Sequence, residues 1–146
     1  MKVAIAAVVS VMACWGGVAA AEPLRVMALD QCADQFVLAL APDAELGLSP
    51  RADDPDSWLR ADAQGHRRVR PTLEAAVGFR PDVAVRYWGG DVRLLAALER
   101  DGVRTVTISD ATDMDGVRAN IHAVAQALGR PERGKALVQR LELVFA

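Results

Sequence analysis

Four short apolar segments punctuate this chain: Arg25–Leu29 (RVMAL), Glu45–Ser49 (ELGLS), Val83–Tyr87 (VAVRY) and Arg104–Ser109 (RTVTIS). Stretches with helical periodicity fill most of the intervals between and after them. This alternation constrains the fold more than any composition figure does. Strands joined through helices pair in parallel, and the helices then cover the sheet. The expected fold class is therefore α/β, a parallel sheet with helices on both faces.

The helix boundaries carry recognisable caps. Asp30 precedes a run to Ala41 that places Phe36, Val37 and Leu40 on one face. Thr72 opens a short helix ending near Phe79, with Leu73, Ala76 and Val77 predicted inward, and Arg80-Pro81-Asp82 turns into the next strand. Gly89-Gly90 interrupts the pattern, Asp91 caps a helix carrying Leu94, Leu95 and Leu98, and Asp101-Gly102 ends it. Asp113 opens a helix with Met114, Val117, Ile121, Val124 and Leu128 at spacings of three and four, which Gly129 terminates. Residues 50–70 are polar and broken by proline, which predicts a long connection with one helical turn near Trp58. Connections of that length are functional or disordered. Residues 131–146 start with Pro131 at a helix-start position and set Leu137, Leu141 and Val144 in an apolar stripe. No Gly or Asn cap follows. The expectation is a helix cut short, with a frayed terminal helix docked on the domain as the alternative.

Residues 1–21 read as an export signal. Lys2 supplies the charge, Val3 to Ala13 the apolar stretch, and Ala19-Ala20-Ala21 a small-residue cleavage site before Glu22. The apolar run is too short to span a bilayer. A competing reading processes the chain at Cys14 and attaches a lipid there, although Met12 and Trp15 suit such a site poorly. Both readings export the chain. Cleavage after Ala21 leaves Cys32 as the one cysteine, which cannot form an internal disulfide and suits helix packing. The formal net charge is −2 with no basic run, so nothing invites nucleic acid or anionic lipid. His66 and His122 stand far apart, without metal-ligand spacing, which argues against a protein-built metal site. Asp53, Asp54 and Asp56 lack the spacing and glycine of a calcium loop and read as a solvated acidic turn.

In parallel sheets ligands sit at the carboxyl ends of the strands. The positions of interest are then Asp30 and Gln31, Ser49 to Trp58, Tyr87 to Gly90, and Asp110 to Asp113. Most specific is VAVRYWGG, residues 83–90. A large aromatic followed by Gly89 and Gly90 lets the backbone turn sharply and holds a flat side chain over the sheet edge. A routine strand-to-helix turn with Trp88 packed sideways remains the alternative. Strand alternation puts Arg86 and Trp88 on one side and Tyr87 on the other, so only one of the two sets points inward without a bulge.

The ordered run RVMALDQCADQFVLAL, LEAAVGFRPDVAVRYWGG, LLAALERDGVRTVTISDATDMDGVRANIHAVAQALG and PERGKALVQRLE resembles the periplasmic binding proteins of metal-chelate ABC importers, which serve iron–siderophore, haem and cobalamin uptake. The resemblance spans about residues 24–143. It implies a Rossmann-like lobe of a class III periplasmic binding protein over residues 22–130. Residues 131–146 would begin the long helix that joins such a lobe to a second one, absent from this sequence. It further implies that Tyr87, Trp88, Arg86, Gly89 and Gly90 line one wall of a ligand cleft, with Asp30, Gln31 and Trp58 as weaker candidates. The ligand implied is a metal chelate, with an iron chelate ahead of cobalamin. No separate cofactor is expected.

Glu74 matches the position at which such proteins place a carboxylate to dock the membrane permease. A carboxylate in a first helical turn also complements the helix dipole by about 0.3–1 kcal/mol without any partner. The expected partners are the permease and the chelate, and the expected state is monomeric. An exported α/β enzyme is the rival class. The chain carries no G-x-S-x-G elbow, G-x-G-x-x-G turn or Walker-type loop, and Cys32 has no histidine near it in sequence. An inactive truncated product is a further alternative. One wall encloses little of a ligand, so weak binding or none is expected of this chain alone.

Overall fold

The computed structural model describes residues 20–146. The signal segment up to Ala19, with Cys14 in it, lies outside the described residues. Along the chain run β1 (Arg25–Ala28), α1 (Gln31–Leu40), β2 (Glu45–Leu48), β3 (Arg67–Arg68), α2 (Leu73–Phe79), β4 (Val83–Arg86), α3 (Val92–Arg100), β5 (Arg104–Thr107), α4 (Met114–Ala127) and α5 (Pro131–Phe145). The strands form one sheet in the order β3-β2-β1-β4-β5. Every pairing is parallel. The expected α/β class is the observed one.

Strand alternation divides the core in two. Val26 and Ala28 of β1 and Val83 and Val85 of β4 pack with α1, α4 and α5. Met27 and Leu29, together with Ala84, pack on the other face with Ala76, Phe79, Leu94 and Leu98 of α2 and α3. Period-two side-chain direction thus places helices on both faces. All four predicted caps form: the side chains of Asp30, Thr72, Asp91 and Asp113 accept from the backbone N–H three residues on.

Three expectations need correction. Leu73 and Val77 are exposed, and the buried pair of α2 is Ala76 and Phe79. Phe79 offers the larger surface, and its ring fits beneath Gly47, where an added Cβ would stand 3.0 Å from it. The region 50–70 holds a short edge strand, since Arg67 and Arg68 pair with Gly47 and Leu48. On α5 the buried row is Gly134 and Val138; Leu137 and Leu141 are half-buried and Val144 is exposed. Gly134 sets this register, because a Cβ there would lie 2.6 Å from that of Ala125 on α4. Salt bridges Arg130–Asp43 (2.8 Å) and Arg118–Glu142 (3.2 Å) border the contact.

Connections leave β1 toward β2 and β3 on one side and reach β4 and β5 on the other. The order therefore reverses between β1 and β4. A crevice opens at such a switch point, beyond the carboxyl ends of the two strands. Leu29–Gln31 and Tyr87–Gly90 occupy it here.

Candidate functional site

Asp30 joins the two loops at the switch point. Its side chain is 2% exposed. Oδ1 accepts from Ala33 N at 2.9 Å and caps α1. Oδ2 accepts from the backbone N–H groups of Tyr87, Trp88 and Gly89 at 2.7, 3.1 and 2.9 Å. Four backbone donors thus converge on one carboxylate. Asp30 is a holder of the loop rather than a surface offered to a ligand.

Gly89 is required by contact. A Cβ there would lie 2.1 Å from the carbonyl oxygen of Leu29. Gly90 adopts φ 84°, the left-handed region that side chains other than glycine's resist. Arg86 Nε donates to Gly89 O at 2.7 Å, so this side chain also braces the turn. With its backbone held, the loop turns Trp88 outward at 59% exposure. β4 ends at Arg86, so the strict alternation expected through Trp88 does not apply. Tyr87 and Trp88 instead border the same open hollow of about 280 Å³, together with Gln31, Cys32, Gln35, Asp56 and Ser57. Trp88 also borders a second hollow of about 280 Å³ lined by Leu29, Pro50, Pro71, Gly89 and Gly90 among others. Trp88 thus contributes to both.

The Tyr87 hydroxyl donates to Asp110, in the loop after β5. That bond, with the Asp110 charge behind it, pushes the phenol above its ordinary range and keeps it protonated. Gln31 Nε2 donates to Asp56 Oδ1 and Ser57 Oγ, each at 2.8 Å, so both amide hydrogens are engaged within the chain. The Gln31 bond holds the Asp56 carboxyl below its usual range. Trp58 is 94% exposed and lines neither hollow. The acidic turn is an internal staple: Asp53 meets Arg68 at 3.5 Å and Asp54 meets Arg51 at 2.7 Å. Glu74 is exposed in the first turn of α2, without an ion pair among the described residues.

Sequence reasoning missed Asp34 and Gln35. Asp34 is fully buried on α1 and accepts from Ser49 N (2.8 Å) and Ser49 Oγ (2.6 Å). Burial pushes its carboxyl up to about 6 against the opposing effect of the Ser49 bonds. Gln35 Oε1 accepts from Leu59 N at 2.8 Å, and its Nε2 is buried without a partner among the described residues. Burial and the charges of Asp30 and Asp34 push the Cys32 thiol up, away from the thiolate that a nucleophile needs. His122 is exposed and His66 half-buried. Among the described residues no three His, Cys, Asp or Glu side chains gather as a metal site, and no helix is long and apolar enough to cross a membrane.

No protein-family model matches this sequence, and comparison with curated proteins finds no match. Solved structures do match. The periplasmic haem-binding protein BhuT, in complex with two haems, superposes with a TM-score of 0.65 at 26% identity, over 81% of this chain and 46% of that one. The apo haem-binding protein RhuT from Roseiflexus sp. RS-1 gives 0.66 at 23% identity, over 83% and 47%. The vitamin B12-binding protein BtuF of Vibrio cholerae gives 0.61 at 20% identity, over 83% and 48%. The fold is that of one lobe of a periplasmic chelate-binding protein. The resemblance carried by the motifs is thus present in the architecture, and the chain spans about half the length of these structures.

Two outcomes test this wiring. Asp30→Asn forces an amide N–H against Ala33 N or against the loop donors and is expected to lower stability by about 1–3 kcal/mol; Asp30→Ala is expected to cost more. Urea unfolding reads both, and an unchanged midpoint would contradict the role given to Asp30. The second concerns pH. Asp34 binds its proton more tightly folded than unfolded, so its stabilising contribution is full below about pH 4 and lost as pH rises through about 6. Between pH 4 and 7 the loss amounts to about 2–3 kcal/mol. Asp34→Asn is expected to remove that slope from the wild-type-minus-variant difference measured across this window.

Proposed function

We propose that this chain forms one wall of the binding site of a periplasmic solute-binding protein, which captures a metal chelate and delivers it to an ABC importer permease. The observation that carries the reading is Trp88, displayed between two hollows at the switch point on a backbone gripped by Asp30. An indole held outward by a satisfied polar anchor is a contact surface prepared before any ligand arrives. The haem- and vitamin B12-binding neighbours share the lobe that carries this crevice.

In this reading Trp88 and Tyr87 supply apolar contact area, Gly89 and Gly90 let the ligand approach the backbone, and Arg86 directs its remaining guanidinium hydrogens to an anionic group. The chelate is cargo, an iron siderophore or haem ahead of cobalamin, and the chain needs no resident metal or cofactor. Asp30 acts mainly by holding the loop, and Gln31, which borders both hollows, is the weaker polar contact. Residues 1–21 direct export to the periplasm, residues 22–130 form the lobe, and the protein is a monomer. Glu74, exposed and free of an ion pair among the described residues, is the docking carboxylate for a permease cation.

Weak binding to one wall is measurable by NMR, because cleavage after Ala21 leaves two tryptophans, Trp58 and Trp88, and hence two indole N–H signals. Titration with cyanocobalamin, diamagnetic gallium protoporphyrin or a gallium hydroxamate is expected to shift the Trp88 signal and leave the backbone amide signals of α5 in place. Trp88→Ala is expected to weaken the probe about tenfold or more. A Trp88 signal indifferent to all three probes would overturn the reading. For docking, Glu74→Arg is expected to change stability by no more than about 0.5 kcal/mol and leave probe binding intact. Permease-dependent uptake in cells is expected to fall severalfold; unchanged uptake would remove Glu74 from the interface.

A further inference from the structure

The hollow beside Tyr87 and Trp88 is bordered by polar side chains whose hydrogens are already committed. Gln31 Nε2 donates to Asp56 Oδ1 and to Ser57 Oγ, each at 2.8 Å. Ser57 Oγ donates in turn to Arg51 O at 3.2 Å. The Tyr87 hydroxyl donates to Asp110. An amide nitrogen carries two hydrogens and a hydroxyl one, so these groups have none left to offer. Nor can the Gln31 amide turn over. The Gln31 bond keeps Asp56 an ionised acceptor, and the Ser57 hydrogen is already given to Arg51 O.

Acceptors are what remain. Gln31 Oε1, Asp56 Oδ2 and a lone pair of Tyr87 Oη have no partner among the described residues. Among the described residues no lysine or arginine borders this hollow, and Arg51, which acts on the Asp56 charge, has its guanidinium bonded to Asp54 at 2.7 Å. Gln35 Nε2 is a donor without a partner among the described residues, but it is covered from the open space. The Cys32 thiol is a weak donor. The first turn of α1 opens here as well, and the Asp30 carboxylate already caps it. A carboxylate in this hollow brings acceptors to acceptors and lies beside the charge of Asp56. An N–H or O–H group instead finds three oxygens. Polar groups left unpaired cost more than a made bond returns, so such a site discriminates chiefly by rejection.

We propose that this hollow selects a hydrogen-bond-donating edge of the ligand, a primary carboxamide, an ammonium or a hydroxyl, and rejects a carboxylate edge, through Gln31 Oε1, Asp56 and Tyr87 Oη. The inference rests on the proposed binding function and narrows its ligand class, but its first readout needs no chelate.

That readout uses three proxyl nitroxides that share one ring and carry an ammonium, a carboxamide or a carboxylate. The relaxation each adds to the backbone amides of Gln31, Ser57 and Tyr87 reports how often it visits them. At low ionic strength the ammonium and carboxamide probes are expected to exceed the carboxylate probe about threefold or more, relative to the amides of α5. Asp56→Asn keeps an acceptor for Gln31 and turns the free oxygen into a donor, and is expected to bring the carboxylate probe level with the others. Tyr87 is the only tyrosine of the chain, so ultraviolet absorbance reads its ionisation directly. Asp110→Asn is expected to lower its raised pKa. A wild-type phenol that titrates in its ordinary range would leave the hydroxyl free to donate and overturn the assignment of Tyr87. Gallium desferrioxamine B, with its tail amine free, acetylated or succinylated, then supplies one chelate with three edges. The succinylated form is expected to bind about fivefold or more weakly than the other two, read on the Trp88 indole signal. Equal or better uptake of the carboxylate nitroxide or of the succinylated chelate overturns the proposal. A chain that takes up none of the three chelates counts against the proposed function, and the nitroxide series alone then decides the preference of the hollow.

Discussion

A buried carboxylate that collects four backbone N–H groups holds this lobe together where its topology is weakest. At the reversal of strand order the pairing of β1 with β4 ends at Ala28 and Val85, and the loops beyond it meet through residues up to 59 apart in the chain. Asp30 spans that gap. One oxygen finishes the first turn of α1 and the other gathers Tyr87, Trp88 and Gly89. The match with Gly89 is steric as well as polar. Leu29 O leaves no space for a side chain at residue 89, so an aspartate at 30 and a glycine at 89 require each other. Once both are in place, Trp88 has nowhere to pack inward and faces the crevice.

α1 serves two tasks from one short sequence. Ala33, Val37 and Leu40 enter the core, while Gln31, Asp34 and Gln35 carry the connection after β2. That connection has little apolar surface and only two residues of strand. Its order comes from side-chain anchors and turns. It stays ordered without a hydrophobic core of its own, and its acidic run is bonded to Arg51, Arg68 and Gln31.

The parts of the fold legible in the sequence were those that depend on period and cap. Strands of alternating apolar residues, four capping side chains and the glycines after Trp88 are local signals, and the structure places them as expected. What escaped depended on partners distant in sequence. Asp34 looks like any surface acid on a helix, and only the approach of Ser49 explains its burial. Gln31 and Asp30 read as ligand candidates because they lie past a strand end, but position does not reveal that the Asp30 oxygens and the Gln31 amide nitrogen are engaged within the chain. On α2 the apolar period permitted two faces, and the larger ring of Phe79 decided between them.

The same wiring bears on how a chelate would be selected. Structures described as haem-binding and vitamin B12-binding share this fold, so the scaffold does not choose the ligand. The choice falls to loop side chains, and here most charges near the crevice are already engaged. Arg51 is paired with Asp54, Asp56 is bonded to Gln31, and Asp110 accepts from Tyr87. Arg86 uses Nε on the loop carbonyl, which fixes the plane of its guanidinium and leaves the terminal nitrogens as the charge nearest Trp88 along the chain. On the proposed reading, recognition on this wall would depend on aromatic area, steric room beside Gly89 and Gly90, and one oriented cation. Such a surface discriminates by shape before it discriminates by charge.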